Sequence, residues 1–360
     1  MNILYINNSM HLGGDNKCII KLCEEFKSKD NNIIVASKGG ILEKNLKDIG
    51  IRHIKINDVM NKRIKNIVLV IKEIRSIVIN EHIELIHSHH RMTTFLSKIS
   101  VIGTGAKVIH TQHSCVNDKL LLNKFALNRV DVIAVSNSVK NILVNKSKLS
   151  SKRIITIYNT INNSDFGKVD ESILYLKEKN KFIIAQIGRL TKLKGIHEFL
   201  EIAQNLININ DNIAFVLIGD GEERVYIENF IKNNNLQKNL FVLGNKNNVL
   251  KQLDYIDILI SCSHVEGLPL TPLEAFSKRV PVIATNIGGT NEEIINNVNG
   301  YLIERGNLNK FIEKILILFN NKKLLNNMGE NAFEIYNKKF NLKNYVDKHK
   351  KIYEENIYGK

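Results

Sequence analysis

Short apolar runs alternate along the chain with longer stretches in which apolar residues recur at every third or fourth position. The runs at 2–7, 32–37, 84–89, 107–111 and 131–136 have the length and composition of buried strands. After the first of them, Ile19, Ile20, Cys23 and Phe26 share one face of a helix predicted over 15–29. A further helix is predicted over 61–80, where Ile64, Ile67, Val68, Ile71, Ile74 and Val78 fall in phase. Strands alternating with helices build a parallel sheet with helices on both faces.

The pattern then breaks and restarts. A run at 153–159 closes the first series, and the polar stretch 160–180 reads as a linker with one short helix. A strand at 181–188 opens the second series. The helix after it, from 195, carries Ile196, Phe199, Leu200, Ala203, Leu206 and Ile207 on one face. Runs at 213–219, 240–244, 257–261 and 280–285 supply the next strands. The expected fold is α/β, with two Rossmann-like domains facing each other across a cleft, residues 1–165 and 166–340. Ligands of such sheets bind at the carboxyl ends of the strands.

A length of 360 residues, 44% of them hydrophobic, is enough for two cores. The most apolar stretch, 67–79, is broken by Lys72, Glu73 and Arg75, whereas a membrane span needs roughly 20 apolar residues. The first residues lack the basic start and apolar run of a signal peptide, so a cytoplasmic location is expected. Cys18, Cys23, Cys115 and Cys262 form no C-x-x-C pair and read as thiols in a reducing compartment, not as a zinc site.

Charge adds an asymmetry. The net charge is +15, and residues 1–165 hold 25 Lys and Arg against 13 Asp and Glu. A basic first half suits an anionic partner: a phosphorylated substrate or an anionic membrane surface. A solvated basic face is the plainer alternative. Nucleic acid fits poorly, because basic residues are not interleaved with aromatics and Trp is absent.

Four features fall at the ends of predicted strands. After 181–188 come Arg189, Lys192, Lys194 and Gly195 before a helix, a set of cations suited to an anion unless they are simply solvated. Glu266 and Glu274 are separated by seven residues. Glu274 has a structural reading: Thr271-Pro272-Leu273-Glu274 fits a capping box with Thr271 as N-cap. Glu266, in a Glu-Gly-Leu-Pro loop, has none. A Gly288-Gly289 pair follows strand 280–285, and a Gly13-Gly14 pair follows strand 2–7. The latter is not a dinucleotide fingerprint. His87, His89, His90, His110 and His113 cluster at two strand ends; structural or acceptor-lining roles are expected of them rather than metal binding.

Taken in order, GRLTKLKG at 188–195 and EGLPLTPLEAFSKRVPVIATNIGG at 266–289, with Asn299-Gly300 beyond, resemble the family 4 glycosyltransferases of GT-B fold. The likeness is strong over 181–305 and weaker before it. The resemblance implies a metal-independent, retaining transferase with no cofactor, a nucleotide-sugar donor (a UDP-sugar) and a glycan or lipid-linked acceptor. It implies acceptor binding by 1–165, donor binding by 166–340, and a terminal helix over 341–360 that packs back on the first domain. Glu266 and Glu274 match the family's paired glutamates, which places Glu274 on the donor ribose and Glu266 against the transferred sugar. Arg189 and Lys194 match the pair on the diphosphate, with the backbone N–H groups of Leu270 and Thr271 beside them. Asn245, Lys246, Gly267 and Leu268 are expected on the donor too, as are Gly13 and Gly14. His113 matches a histidine near the sugar. Two positions depart from the usual pattern: no aromatic follows Gly267, and Asn16 stands after the Gly13-Gly14 loop. A nucleotide-sugar epimerase and a silent partner subunit of a transferase are the alternative readings.

Overall fold

A computed structural model of the chain describes residues 1–115, 118, 120–161 and 167–359. It divides into two compact units, Met1–Thr160 with Leu342–Lys360, and Ile161–Asn341. The expected boundary at 165/166 lies outside the described residues.

The first unit runs β1 (Asn2–Ile6), α1 (Gly14–Phe26), β2 (Asn32–Ser37), α2 (Glu43–Asp48), β3 (Arg52–Lys55), α3 (Ile64–Asn80) and β4 (Leu85–Ser88). It continues with α4 (Arg91–Ser100), β5 (Lys107–Gln112), α5 (Leu120–Leu127), β6 (Asp131–Ala134), α6 (Asn137–Asn145) and β7 (Ile154–Thr156). Its seven strands lie in the order β3-β2-β1-β4-β5-β6-β7, every pairing parallel. The chain moves one way from β1 to β3, then returns to β4 on the other side of β1. That reversal creates a crevice at the carboxyl ends of β1 and β4.

The second unit runs α7 (Glu171–Glu178), β8 (Phe182–Ile187), α8 (Ile196–Ile209), β9 (Ile213–Ile218), α9 (Arg224–Asn233), β10 (Leu240–Val242) and α10 (Val249–Leu253). Then follow β11 (Ile258–Ser261), α11 (Leu270–Ser277), β12 (Val282–Thr285), α12 (Thr290–Glu293), β13 (Gly300–Ile303), α13 (Leu308–Phe319) and α14 (Lys322–Lys339). Its sheet is again parallel, ordered β10-β9-β8-β11-β12-β13, and reverses between β8 and β11. Ile184, Phe199, Phe215, Leu217, Ile260 and Phe311 are among the residues of its core.

The last helix, α15 (Leu342–Tyr358), belongs to the first unit. Tyr345, Ile352 and Tyr353 join α1 in the core on one face of that sheet. Tyr353 Oη meets Tyr5 Oη at 3.1 Å and His87 Nδ1 at 2.8 Å, so a buried phenol ties the end of the chain to β1 and β4.

On the opposite face, α3 buries Val70, Ile74, Ile77 and Val78. This corrects the expected inward face: Ile64 is 81% exposed, and Val68 also faces outward. The three-to-four spacing was right, but the long apolar run 67–71 made the direction of the face ambiguous.

Candidate active site

The loop after β8 and the loop after β11 meet at the reversal of the second sheet. Gly195 makes this possible. It sits at φ +66°, and a Cβ there would lie 2.0 Å from the carbonyl oxygen of Cys262. Only glycine relieves both the left-handed backbone and that contact. The Gln186 side chain stitches the two loops, donating to Lys194 O at 2.9 Å and accepting from Cys262 N at 3.3 Å. His264 N donates to Leu193 O at 2.9 Å.

With the loops fixed, Lys194 Nζ lies 2.5 Å from Glu266 Oε1. The Glu266 side chain is 11% exposed and that of Lys194 is 35%. Both line one pocket with Gln186, Arg189, Ser263 and Thr271. The structure thus brings Arg189 and Lys194, from the stretch after β8, together with Glu266 and Thr271, from the stretch after β11.

The capping-box reading of Glu274 does not hold. α11 starts at Leu270 with Pro269 as N-cap and no side-chain cap bond, so Thr271 is the second helical residue and Glu274 the fifth. Pro272 at the third position loses nothing, because the first four N–H groups of a helix lack intrahelical partners. Leu270 and Thr271 supply the first two such groups, at the positive end of the helix. The Glu274 carboxylate is buried one turn further on. Gly267 and Leu268 are buried in the loop just before.

Other expected residues are not among those that line this pocket. Asn245 is exposed in the loop after β10, and Lys246 Nζ pairs with Asp170 Oδ2 at 2.7 Å. Gly13 and Gly14 are the N-cap and first residue of α1 in the first unit. Asn16 organises that loop: its amide donates to Ser9 O at 2.9 Å and His11 O at 2.8 Å, and it accepts from Asn7 at 2.8 Å.

The histidines form a buried network in the first unit. His87 Nε2 meets Thr111 Oγ1 at 2.7 Å, and His110 bonds to Thr94 and Gln112. His89 Nδ1 meets His113 Nε2 at 2.8 Å, the rings stacked with centroids 5.1 Å apart. Burial holds His87, His89 and His113 below the usual histidine range and His110 down at about 3. Burial also pushes the Cys18 thiol up to about 12. Among the described residues, no group of three or more His, Cys, Asp or Glu is arranged around a common metal position.

Sequence reasoning missed one residue near the site. Glu293, on α12, is fully buried, and neither carboxylate oxygen has a hydrogen-bond partner. Burial raises its pKa well above the carboxylate range, and the charge of Glu266 adds to the rise. In the sequence it is one of two adjacent glutamates, and nothing distinguishes it from its half-buried neighbour Glu292.

Comparison with known proteins agrees with this fold. The model for Glycosyl transferases group 1 matches residues 172–335, and that for Glycosyltransferase Family 4 matches residues 12–165. The Escherichia coli UDP-Gal:alpha-D-GlcNAc-diphosphoundecaprenol alpha-1,3-galactosyltransferase is 30% identical over 318 residues, covering 81% of this chain and 82% of its own length. A glycosyltransferase crystal structure from Rickettsia africae matches with a TM-score of 0.85 at 26% identity, covering 100% of this chain and 99% of that one. The Anabaena HepE structure in complex with UDP-glucose has the same fold, with a TM-score of 0.86 at 18% identity, covering 99% and 100%. Two parallel Rossmann-like sheets, a paired-glutamate loop at the second switch point, and matches spanning nearly the whole chain place this protein among the family 4 glycosyltransferases of GT-B fold.

Proposed function

We propose that the chain moves a hexose-type sugar from a UDP-sugar, with retention of anomeric configuration and without a metal, to a glycan or lipid-linked acceptor in bacterial surface polysaccharide synthesis. The work is done at the cytoplasmic face of the membrane. Residues 166–340 bind the donor and 1–165 the acceptor. The observation that carries this reading is the Lys194–Glu266 pair at 2.5 Å, in a pocket shared with Arg189 and Thr271. The E. coli relative, whose name specifies UDP-Gal and a diphosphoundecaprenol acceptor, supports the choice of donor and acceptor class.

The chemistry follows from charge. When the bond between the anomeric carbon and the phosphate oxygen breaks, negative charge grows on the departing diphosphate and positive charge on the sugar. Arg189, Lys194 and the N–H groups of Leu270 and Thr271 offset the first. Glu266, held by Lys194, lies against the second. One such preorganised group is typically worth ~10²–10³ in rate. Glu274 holds the ribose, and Gly267, Leu268, Asn245 and Lys246 complete the donor's surroundings. His113 takes the sugar-facing role that the resemblance gives it. The acceptor oxygen bonds to the anomeric carbon, and its proton passes to the leaving phosphate oxygen.

Release of UDP from a UDP-sugar, followed with and without a sugar acceptor, tests the reading. A transferase releases UDP much faster with acceptor. Interconversion of the donor without release would indicate an epimerase, and no turnover with any UDP-sugar would indicate a silent subunit.

A further inference from the structure

The outer surface of the first unit carries large apolar side chains where two helices begin. On α3, Ile64 is 81% exposed, and Val68 and Leu69 are exposed beside it. On α5, Leu121 is 83% exposed and Phe125 66%, with Leu122 between them. Single exposed apolar residues are ordinary on a protein surface, but grouped ones mark a contact.

Topology groups these six. α3, α4 and α5 each connect two parallel strands in the same direction across the sheet, so right-handed crossovers place them on one face. Each starts from the carboxyl end of a strand, so their first turns share one edge of the unit. α4 joins its neighbours: Arg75 of α3 donates to Ile102 O at 2.7 Å, just past α4. Lys98 of α4 donates to Ala126 O and Asn128 O at the end of α5. The Phe95 and Phe125 rings lie 5.4 Å apart. That edge is also the end of the sheet to which His89 and His113 belong.

Exposed cations surround the apolar residues: Lys62, Arg63, Lys65 and Lys72 on or before α3, and Lys124 on α5. Of the carboxylates on the same segments, Glu73 is turned onto Asn57, and Asp118 precedes α5. Five cations facing five in a second copy would repel. An anionic lipid surface meets them with opposite charge while its acyl boundary takes up the leucines and the phenylalanine.

We propose that the first turns of α3 and α5 form a docking face for an anionic bilayer, with Leu121, Leu122 and Phe125 entering the interface and the cations resting on headgroups. The face sits at the edge where the first unit would receive a lipid-linked acceptor. The proposal rests on the transferase reading only for what is met there, because vesicle binding requires no donor and no turnover.

Vesicle flotation tests it. The protein should bind vesicles containing about 30 mol% phosphatidylglycerol in phosphatidylcholine and not pure phosphatidylcholine, with binding weakened as salt rises from about 0.05 M to about 0.5 M. Changing Leu121, Leu122 and Phe125 together to Ser should lower the bound fraction at least about five-fold. The same variant should keep the wild-type melting temperature and UDP affinity. The chain has no Trp. Phe125→Trp therefore provides a single reporter, whose emission should shift to the blue on anionic vesicles and be quenched by brominated lipid. Wild-type binding by the triple-Ser variant would overturn the proposal, as would an unshifted Phe125→Trp spectrum. So would a wild-type dimer in sedimentation velocity that the triple-Ser change abolishes, since a second copy would then occupy the face. If UDP binding fails while flotation succeeds, it is the transferase reading that falls.

Discussion

Lys194 Nζ lies 2.5 Å from Glu266 Oε1, joining residues from two loops that flank the point where the second sheet reverses. Pairing a largely buried carboxylate with a half-buried ammonium fixes both, and in the proposed reaction the diphosphate and the sugar meet there. Lys194→Met keeps the stem and removes the charge. It should lower kcat by about 10²–10³ while changing the melting temperature little. Steady-state kinetics with a saturating UDP-sugar reads this, and a kcat within about two-fold of wild type would remove Lys194 from the chemistry.

The His89–His113 contact makes a second forecast. His89 Nε2 is buried without a hydrogen-bond partner. A buried bare lone pair is tolerated more readily than a buried orphan N–H. His89 therefore carries its proton on Nδ1 and donates to His113 Nε2, which leaves the His113 proton on Nδ1. Nitrogen chemical shifts of the two rings check the tautomers. Burial lowers the pKa of both, so they stay neutral as the pH falls through the ordinary histidine range. Activity should show no histidine limb near about pH 6.5. Stability, in contrast, should begin to fall below that pH, because the unfolded chain takes up protons that the folded rings refuse.

Glu293 has the opposite sign. Its pKa is raised by burial and by Glu266, so the folded protein holds a proton that the unfolded chain has lost above about pH 4.5. Its contribution is thus present in acid and declines as the pH rises toward the folded pKa. Glu293→Gln should raise the melting temperature at neutral pH, with the gain shrinking toward pH 4 in thermal scans. A gain independent of pH would show that Glu293 is not protonated in the folded state.

The fold was largely legible in the chain, because strands buried on both faces leave continuous apolar runs that polar loops punctuate. The runs at 32–37 and 107–111 match β2 and β5 closely. The edge strand β3, Arg52–Lys55, escaped notice because its exposed arginine and lysine hide the signal. Arg189, Lys194 and Glu266 were legible as a set only through the family resemblance, since cations in loops are usually just solvated. The start of α11 was misjudged because Thr-Pro-Leu-Glu satisfies the capping pattern two residues inside the true helix. Glu293 was not legible at all: its burial arises from tertiary packing, and periodicity does not reveal which of two adjacent glutamates turns inward.

Transfer should be insensitive to EDTA. In the proposed reaction Arg189 and Lys194, which line one pocket, offset the diphosphate's charge, and the sequence contains no D-x-D pair. The measurement is UDP release in the presence of acceptor, before and after chelation. Loss of activity restored by Mg²⁺ or Mn²⁺ would show that a metal carries the charge instead.

The central claim is that the two glutamates divide the donor between them, Glu274 on the nucleotide and Glu266 on the sugar. Titration calorimetry with UDP on Glu274→Gln and Glu266→Gln, beside steady-state kinetics, tests it most directly. The account predicts that Glu274→Gln weakens UDP binding and raises KM more than it lowers kcat. It predicts that Glu266→Gln binds UDP nearly as wild type does while kcat falls sharply, because free UDP has no sugar to contact. Unchanged UDP affinity in Glu274→Gln, or a kcat in Glu266→Gln close to wild type, would contradict it.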